Sequence, residues 1–305
     1  MPDKFPVGGQ GVIEGVMMKS PNYISVSVRN DKGKIVSMNK RLRKKGRLAK
    51  LFFIRGIYNL IEMLIIGVKA LIWSGNQFTE EDEDLSTKDV ILLLLVSFGF
   101  AILFFWLLPY ALTLLIGIAE EKAPISFNLI DGIIKIALFI GYVLVISQMK
   151  DIKRIFKYHG AEHMAVHCYE HNEDLTVENV RKYKTLHTRC GSSFIMIVLI
   201  FSILLLSLIP PFVIQFYPNL LNLNFWYQKL ILFPIRILAI PIIAGLSYEL
   251  LKLADKFKKF FLFSLISQPG LWLQMLTTAK PDDSMIEVAI NSLKDVLELE
   301  ISEKN

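Results

Sequence analysis

VILLLLVSFGFAILFFWLLPYALTLLIGI, residues 90–118, holds no charged side chain over 29 consecutive positions. An α-helix of about 20 apolar residues crosses a bilayer's hydrocarbon core, so this stretch is long enough to span one. Ser193 to Tyr217 repeats the pattern over 25 positions. Hydrophobic residues make up 53% of the chain and mean hydropathy is +0.46, both above what ordinary soluble domains show. The expected fold class is therefore mainly α: a polytopic helical membrane protein, its partner the lipid bilayer, with a small β-containing N-terminal cytosolic region.

Loop charge orients the spans. Were Leu51–Ser74 a further crossing, residues 149–192 would lie outside with their eight basic residues, against the positive-inside bias. With Leu51–Ser74 interfacial or re-entrant instead, residues 1–50, Lys150–Arg189 and the Lys252–Lys259 cluster all fall inside. The outer loops, Ala119–Pro124 and Pro218–Gln228, then carry almost no positive charge. Four crossings follow, near 90–118, 126–148, 193–216 and 229–250, in a bacterial inner membrane with the N-terminus and histidine loop cytosolic. The chain divides into a β-containing region (1–47), an amphipathic or re-entrant helix (48–78), a helix pair (90–148), a cytosolic His/Cys loop (149–192), a second pair (193–250) and an interfacial segment with a C-terminal amphipathic helix (251–305). No apolar core precedes residue 50, so no signal peptide is expected. The net charge of +6 follows from this juxtamembrane bias, and no base-reading module accompanies it, so nucleic acid is not an expected partner.

Lys40–Lys50 carries seven basic residues in eleven and reads as a belt for anionic headgroups. Arg55, Glu62 and Lys69 recur at seven and share a helical face. Asp131 and Lys135 stand four apart in the second crossing and are expected to pair. Pro234, Arg236 and Pro241 predict a broken or kinked fourth crossing, with Arg236 lining a cavity or paired with Asp131 or Glu62. Gln268-Pro269-Gly270 interrupts the apolar run Phe260–Leu276. Apolar residues at three and four spacing over Asp282–Leu299, with Asp282 or Asp283 as N-cap, predict a helix packed on the cytosolic face. In the N-terminal region, Ile24–Arg29 alternates at period two, and Asn30-Asp31-Lys32-Gly33 supplies the turn of a hairpin with a strand before it. The glycines around Glu14 either make turns or admit another element close to the backbone.

Chemistry concentrates in one place. Tyr158-His159-Gly160-Ala161-Glu162-His163-Met164-Ala165-Val166-His167-Cys168-Tyr169-Glu170-His171 holds four of five histidines, and His187-Thr188-Arg189-Cys190 brings the fifth with the second cysteine. On a helix, His159 and His163 lie one turn apart and can share a divalent metal ion, zinc being what imidazole and thiolate prefer. His159-x-x-Glu162-His163 matches the H-x-x-E-H pattern in which two histidines bind zinc and the glutamate activates water. Three readings stay open. In the first, His159, His163 and one residue of the second arm leave a position for water beside Glu162. In the second, His159, His163, His187 and Cys190 close a structural site. In the third, the histidines only sense pH or hydrogen-bond. His167 and His171 are further ligands or solvated helix residues, and Glu249 is a carboxylate ligand or a helix-end residue near Lys252.

Several of these stretches together resemble a bacterial family, the YqhQ-like membrane proteins of unknown function. They are Gly8-Gly9-Gln10 with Val12-Ile13-Glu14-Gly15-Val16-Met17-Met18; Tyr158-His159-Gly160-Ala161-Glu162-His163; His187-x-Arg189-Cys190-Gly191-x-Ser193-Phe194; Ser247-Tyr248-Glu249; and Pro269-Gly270-Leu271-Trp272-Leu273-Gln274 leading to Thr277-Thr278. The resemblance implies a metal-dependent enzyme, the label the family carries, and brings no reaction or substrate. The leading expectation is a metal-dependent, hydrolytic membrane enzyme with Glu162 as general base. A non-enzymatic transporter or assembly factor with a structural or sensing metal is the alternative.

Overall fold

The computed structural model describes residues 4–78, 87–118, 120, 123–257 and 260–304. Part of the expected outer loop at 119–124, and Lys258 and Lys259, lie outside these.

The N-terminal region is a four-stranded antiparallel meander: β1 (Gly8–Val12), β2 (Gly15–Lys19), β3 (Tyr23–Arg29) and β4 (Ile35–Arg41), in that spatial order. Ile13 and Glu14 form the first turn, Glu14 at φ 49°, so the stretch before the hairpin is itself a hairpin. Alternation in β3 sends Val26 and Val28 to one face, where they meet Val12, Met17 and Ala70 of α1 (Ile54–Asn76). The opposite face, which period two alone would leave to solvent, is covered too. Ser25 and Ser27 are fully buried beneath α10 (Asp283–Lys304), where Ser292 Oγ donates to the Ser25 carbonyl and Asn291 Nδ2 to Ser27 Oγ. The buried hydroxyls are satisfied, so their burial is not costly. The C-terminal helix thus packs on the sheet and on α5 (Lys150–Glu170), joining Met285, Ile286, Ala289 and Leu293 to Val16, Met18 and Met164 in one core.

Among the described residues, five helices are long and apolar enough to cross a membrane. Besides α1 they are the rod of α2 (Thr87–Ile102) and α3 (Leu108–Leu115), then α4 (Pro124–Ile146), α7 (Gly191–Phe216) and α8 (Phe225–Lys256). Between α2 and α3 the helix takes a π-helical turn at Leu103–Leu107, just before Pro109, which has no N–H to donate. Helix α7 is central, touching α4, α8 and α9 (Phe261–Thr277). A one-turn helix, α6 (Val177–Val180), lies in the loop before it.

The prolines do not act as breakers. Helix α8 is continuous through Pro234 and Pro241, and α9 through Pro269; inside a bundle, neighbouring groups and small local adjustments can satisfy the carbonyl that a proline frees. The ion pairs also differ from the expectation. Asp131 pairs with Lys135 as predicted, but Arg236 pairs with Glu120 and donates to Asn128 (3.1 Å). Glu62 takes Lys19 and Lys45. Glu249 accepts both arms of Arg55 and stands in neither potential metal-holding group found among the described residues.

Candidate metal centre

Helix α5 brings the site together because two backbones crowd against it. A Cβ at Gly11 of β1 would stand 2.6 Å from the Ile155 carbonyl, and one at Gly160 would stand 2.2 Å from the Ala279 carbonyl. Ala279, two residues beyond α9, is tied there by its own N–H, which donates to the Phe156 carbonyl (2.9 Å). The sheet, α5, the end of α9 and the start of α7 therefore meet around one patch.

His159 and His163 face each other across one turn, ring centroids 4.4 Å apart. His159 Nδ1 meets the Thr277 carbonyl (2.9 Å) and His163 Nδ1 the Thr185 carbonyl. A carbonyl only accepts, so each Nδ1 carries the proton and each Nε2 presents a lone pair. Those lone pairs converge with the Cys190 thiol: His159 Nε2 is 3.3 Å from Sγ, and the three ligand atoms lie within 4.8 Å of one another. Cys190 caps α7, its sulfur accepting the Ser192 N–H (3.3 Å). Imidazoles fixed through Nδ1 to backbone carbonyls are the arrangement that orients metal-binding histidines.

Glu162 sits beside them, only 3% exposed. Its Oε2 lies 3.4 Å from His163 Nε2 and makes no hydrogen bond. Burial raises its pKa above the ordinary carboxylate range, against the opposing pull of His159, His187 and the Gly9 N–H. Burial likewise lowers the His163 pKa despite its bond to Cys190. Burial thus favours the neutral form of each group, and a neutral His163 makes no ion pair with Glu162. A cation placed here would reverse that preference by stabilising thiolate and carboxylate. A cavity of about 40 Å³ opens at this point, lined by Gly8, Gly9, Glu162, His163, His187 and Cys190.

His187 joins a neighbouring group instead. Its Nε2 points to Glu170 Oε2 (3.3 Å), its Nδ1 accepts the Arg189 N–H (3.2 Å), and its ligand atom clusters with those of His167 and Glu170. His167 Nε2 donates to the Leu186 carbonyl (2.9 Å), and burial pushes its pKa down to about 4. His171 stands at the exposed end of α5, its Nδ1 bonded to the His167 carbonyl (2.8 Å). Sequence reasoning assigned no role to Gln274. Fully buried, it grips His187 at both backbone atoms, through Oε1 to N (2.8 Å) and Nε2 to O (2.9 Å), and also reaches Ser193 Oγ (2.7 Å). A glutamine inside an apolar helix is the signal that could have found it. The Thr277 and Thr185 carbonyls have no such signal.

Fold and cluster together define a multi-pass helical membrane protein with a buried histidine–cysteine–carboxylate group beside its helix bundle. The chain belongs to the family described as "Protein of unknown function (DUF1385)", which matches residues 51–299. It is 34% identical over 321 residues to "Uncharacterized protein YqhQ" of Bacillus subtilis (strain 168), covering 98% of this chain and 94% of that one. No solved structure matches it. Neither description names a metal or a reaction.

Proposed function

We propose that this protein is a membrane metalloenzyme of hydrolytic type, with His159, His163 and Cys190 as ligands of a zinc ion and Glu162 as general base. The observation that carries the reading is the convergence of two Nδ1-anchored imidazoles and a thiol beside a buried carboxylate oxygen that has no hydrogen bond. Two neutral imidazoles and a cysteine that would bind as its thiolate suit zinc, and three protein ligands leave a fourth position open. Zinc held there supplies Lewis acidity toward water and toward an oxygen-bearing substrate. Glu162 takes the proton of the attacking water and returns it to the leaving group. Gly9, donating to the carboxylate, sets its direction.

The test compares metal content of the detergent-purified protein with that of His159→Ala/His163→Ala and Glu162→Gln. Stoichiometric zinc in the wild type and in Glu162→Gln, lost from the double variant, supports the centre. Hydrolysis of any member of an ester, phosphoester and peptide panel by wild type but not by Glu162→Gln supports the chemistry. Wild-type protein still metal-free after reconstitution with excess zinc overturns the proposal. The tightness of the cavity favours a second reading, a closed structural or sensing site in a non-enzymatic membrane protein with Glu162 as fourth ligand. That reading expects Glu162→Gln to lose zinc and stability together.

A further inference from the structure

Helix α1 has the length and hydropathy of a membrane span, yet its two ends are held on the same side of the bundle. At its start, Arg55 grips Glu249 and Asn59 donates to the Tyr248 hydroxyl (2.9 Å), while the Phe53 ring fills the space over Gly245. These partners lie in the last third of α8, whose Asp255 accepts from Thr188 in the loop of the histidine cluster. Its later turns lie on the sheet: Lys19 bonds Glu62, Gln10 bonds the Gly67 carbonyl (3.3 Å), Ala70 enters the valine core, and the Ile13 N–H donates to Ser74 Oγ (3.2 Å). The sheet cannot follow a helix into hydrocarbon. Among the described residues β4 has no strand on its outer edge, its Ser37, Asn39, Lys40 and Arg41 are exposed, and an open edge would find no hydrogen-bond partners in hydrocarbon.

What remains is the opposite face of α1, where Leu60, Ile61, Leu64, Ile65 and Leu71 are exposed at helical spacing. Beside it lies the basic segment Lys40–Lys50, folded onto α1 by Lys45, which reaches Asn59 (2.6 Å) and Glu62 (3.2 Å). Arg43, Lys44, Arg47 and Lys50 are exposed, next to exposed Leu48, Leu51 and Phe52. A one-sided apolar helix flanked by cations, continuous with a spanning bundle, is complementary to the headgroup layer of an anionic leaflet. We infer that α1 does not cross the membrane: it lies in its plane, apolar face in the leaflet on the side of the histidine cluster, with the Lys40–Lys50 segment bound to anionic phospholipid headgroups. The bundle then crosses four times, and this element is a lipid-binding surface.

The full-length protein, reconstituted in nanodiscs of phosphatidylcholine mixed with phosphatidylglycerol, is spin-labelled at Leu60→Cys or Leu71→Cys; the native Cys168 and Cys190 are buried. The expected result is the same shallow depth at both sites. A crossing helix separates them by about 16 Å along the normal, and that result overturns the inference. In parallel, Arg43→Gln/Lys44→Gln/Arg47→Gln/Lys50→Gln is expected to lower several-fold the enrichment of phosphatidylglycerol over phosphatidylcholine on the purified protein. Unchanged enrichment overturns the headgroup assignment even if the depths agree. Neither readout depends on metal.

Discussion

Gly160 sets two effects against each other. Alanine is the better helix former by about 1 kcal/mol, but its Cβ would stand 2.2 Å from the Ala279 carbonyl, an overpacking that costs about 1–3 kcal/mol. The steric effect wins, so Gly160→Ala is expected to lower the melting temperature in detergent and to weaken zinc retention by shifting the start of α5's histidine face. Asp282 tests a charge outside the membrane. Burial pushes its pKa up, but the Ser284 hydroxyl (2.6 Å) and the Met285 N–H (3.1 Å) outweigh that and hold it below the usual value. Its folded pKa is thus lower than in the unfolded chain, so its contribution is complete at neutral pH and lost as pH falls through the folded value. Asp282→Ala is expected to cost about 1 kcal/mol at neutral pH, the worth of an N-cap, and almost nothing once the wild-type carboxyl is protonated. Thermal melts of both proteins across an acid series check this.

Helix α10 is joined to the sheet by Glu300, 2% exposed, which accepts from Ser20 Oγ (2.6 Å), the Asn22 N–H (2.6 Å) and Asn22 Nδ2 (3.0 Å). Hydrogen bonds to a charged group are worth about 1.5–3 kcal/mol. Glu300→Ala is therefore expected to destabilise the sheet–α10–α5 unit by about 3 kcal/mol while leaving the bundle inserted; hydrogen exchange resolved by segment would show protection falling in the sheet, α5 and α10 alone. Helix α1 is joined to α8 by Arg55 and Glu249. Removing either partner strands the other, at about 3–5 kcal/mol if the site is well buried; Arg55 is partly exposed, so the lower end is expected. The swap Arg55→Glu/Glu249→Arg should recover part of what Arg55→Ala loses, read from melting temperatures of the set. Elements with one strong period were legible: the spans, the tail helix and the β3–β4 hairpin. The burial of the β3 serines was not legible, because alternation reports which residues share a face and not whether another helix covers it.

Across the whole molecule the candidate centre is a junction, since its side chains come from α5 and the start of α7 while the end of α9 orients them. A ligand that binds only the folded junction stabilises it, by about 4 kcal/mol at a thousandfold excess over the dissociation constant. Chelation is therefore expected to lower the melting temperature of the wild type and to leave that of His159→Ala/His163→Ala unchanged. A uniform shift in both would assign the chelator's effect elsewhere. The sequence alone settled the membrane class, because an uncharged run of 29 residues is a property of consecutive positions. It also placed His159, Glu162 and His163 together, since one helical turn is local geometry. Only the tertiary structure decided that Cys190 meets those histidines while His187 turns to Glu170, and that Glu249 belongs to Arg55. Those outcomes rest on contacts between distant positions: His159 is oriented by a carbonyl 118 residues away, and packing chooses such partners through shape and burial that no spacing rule encodes.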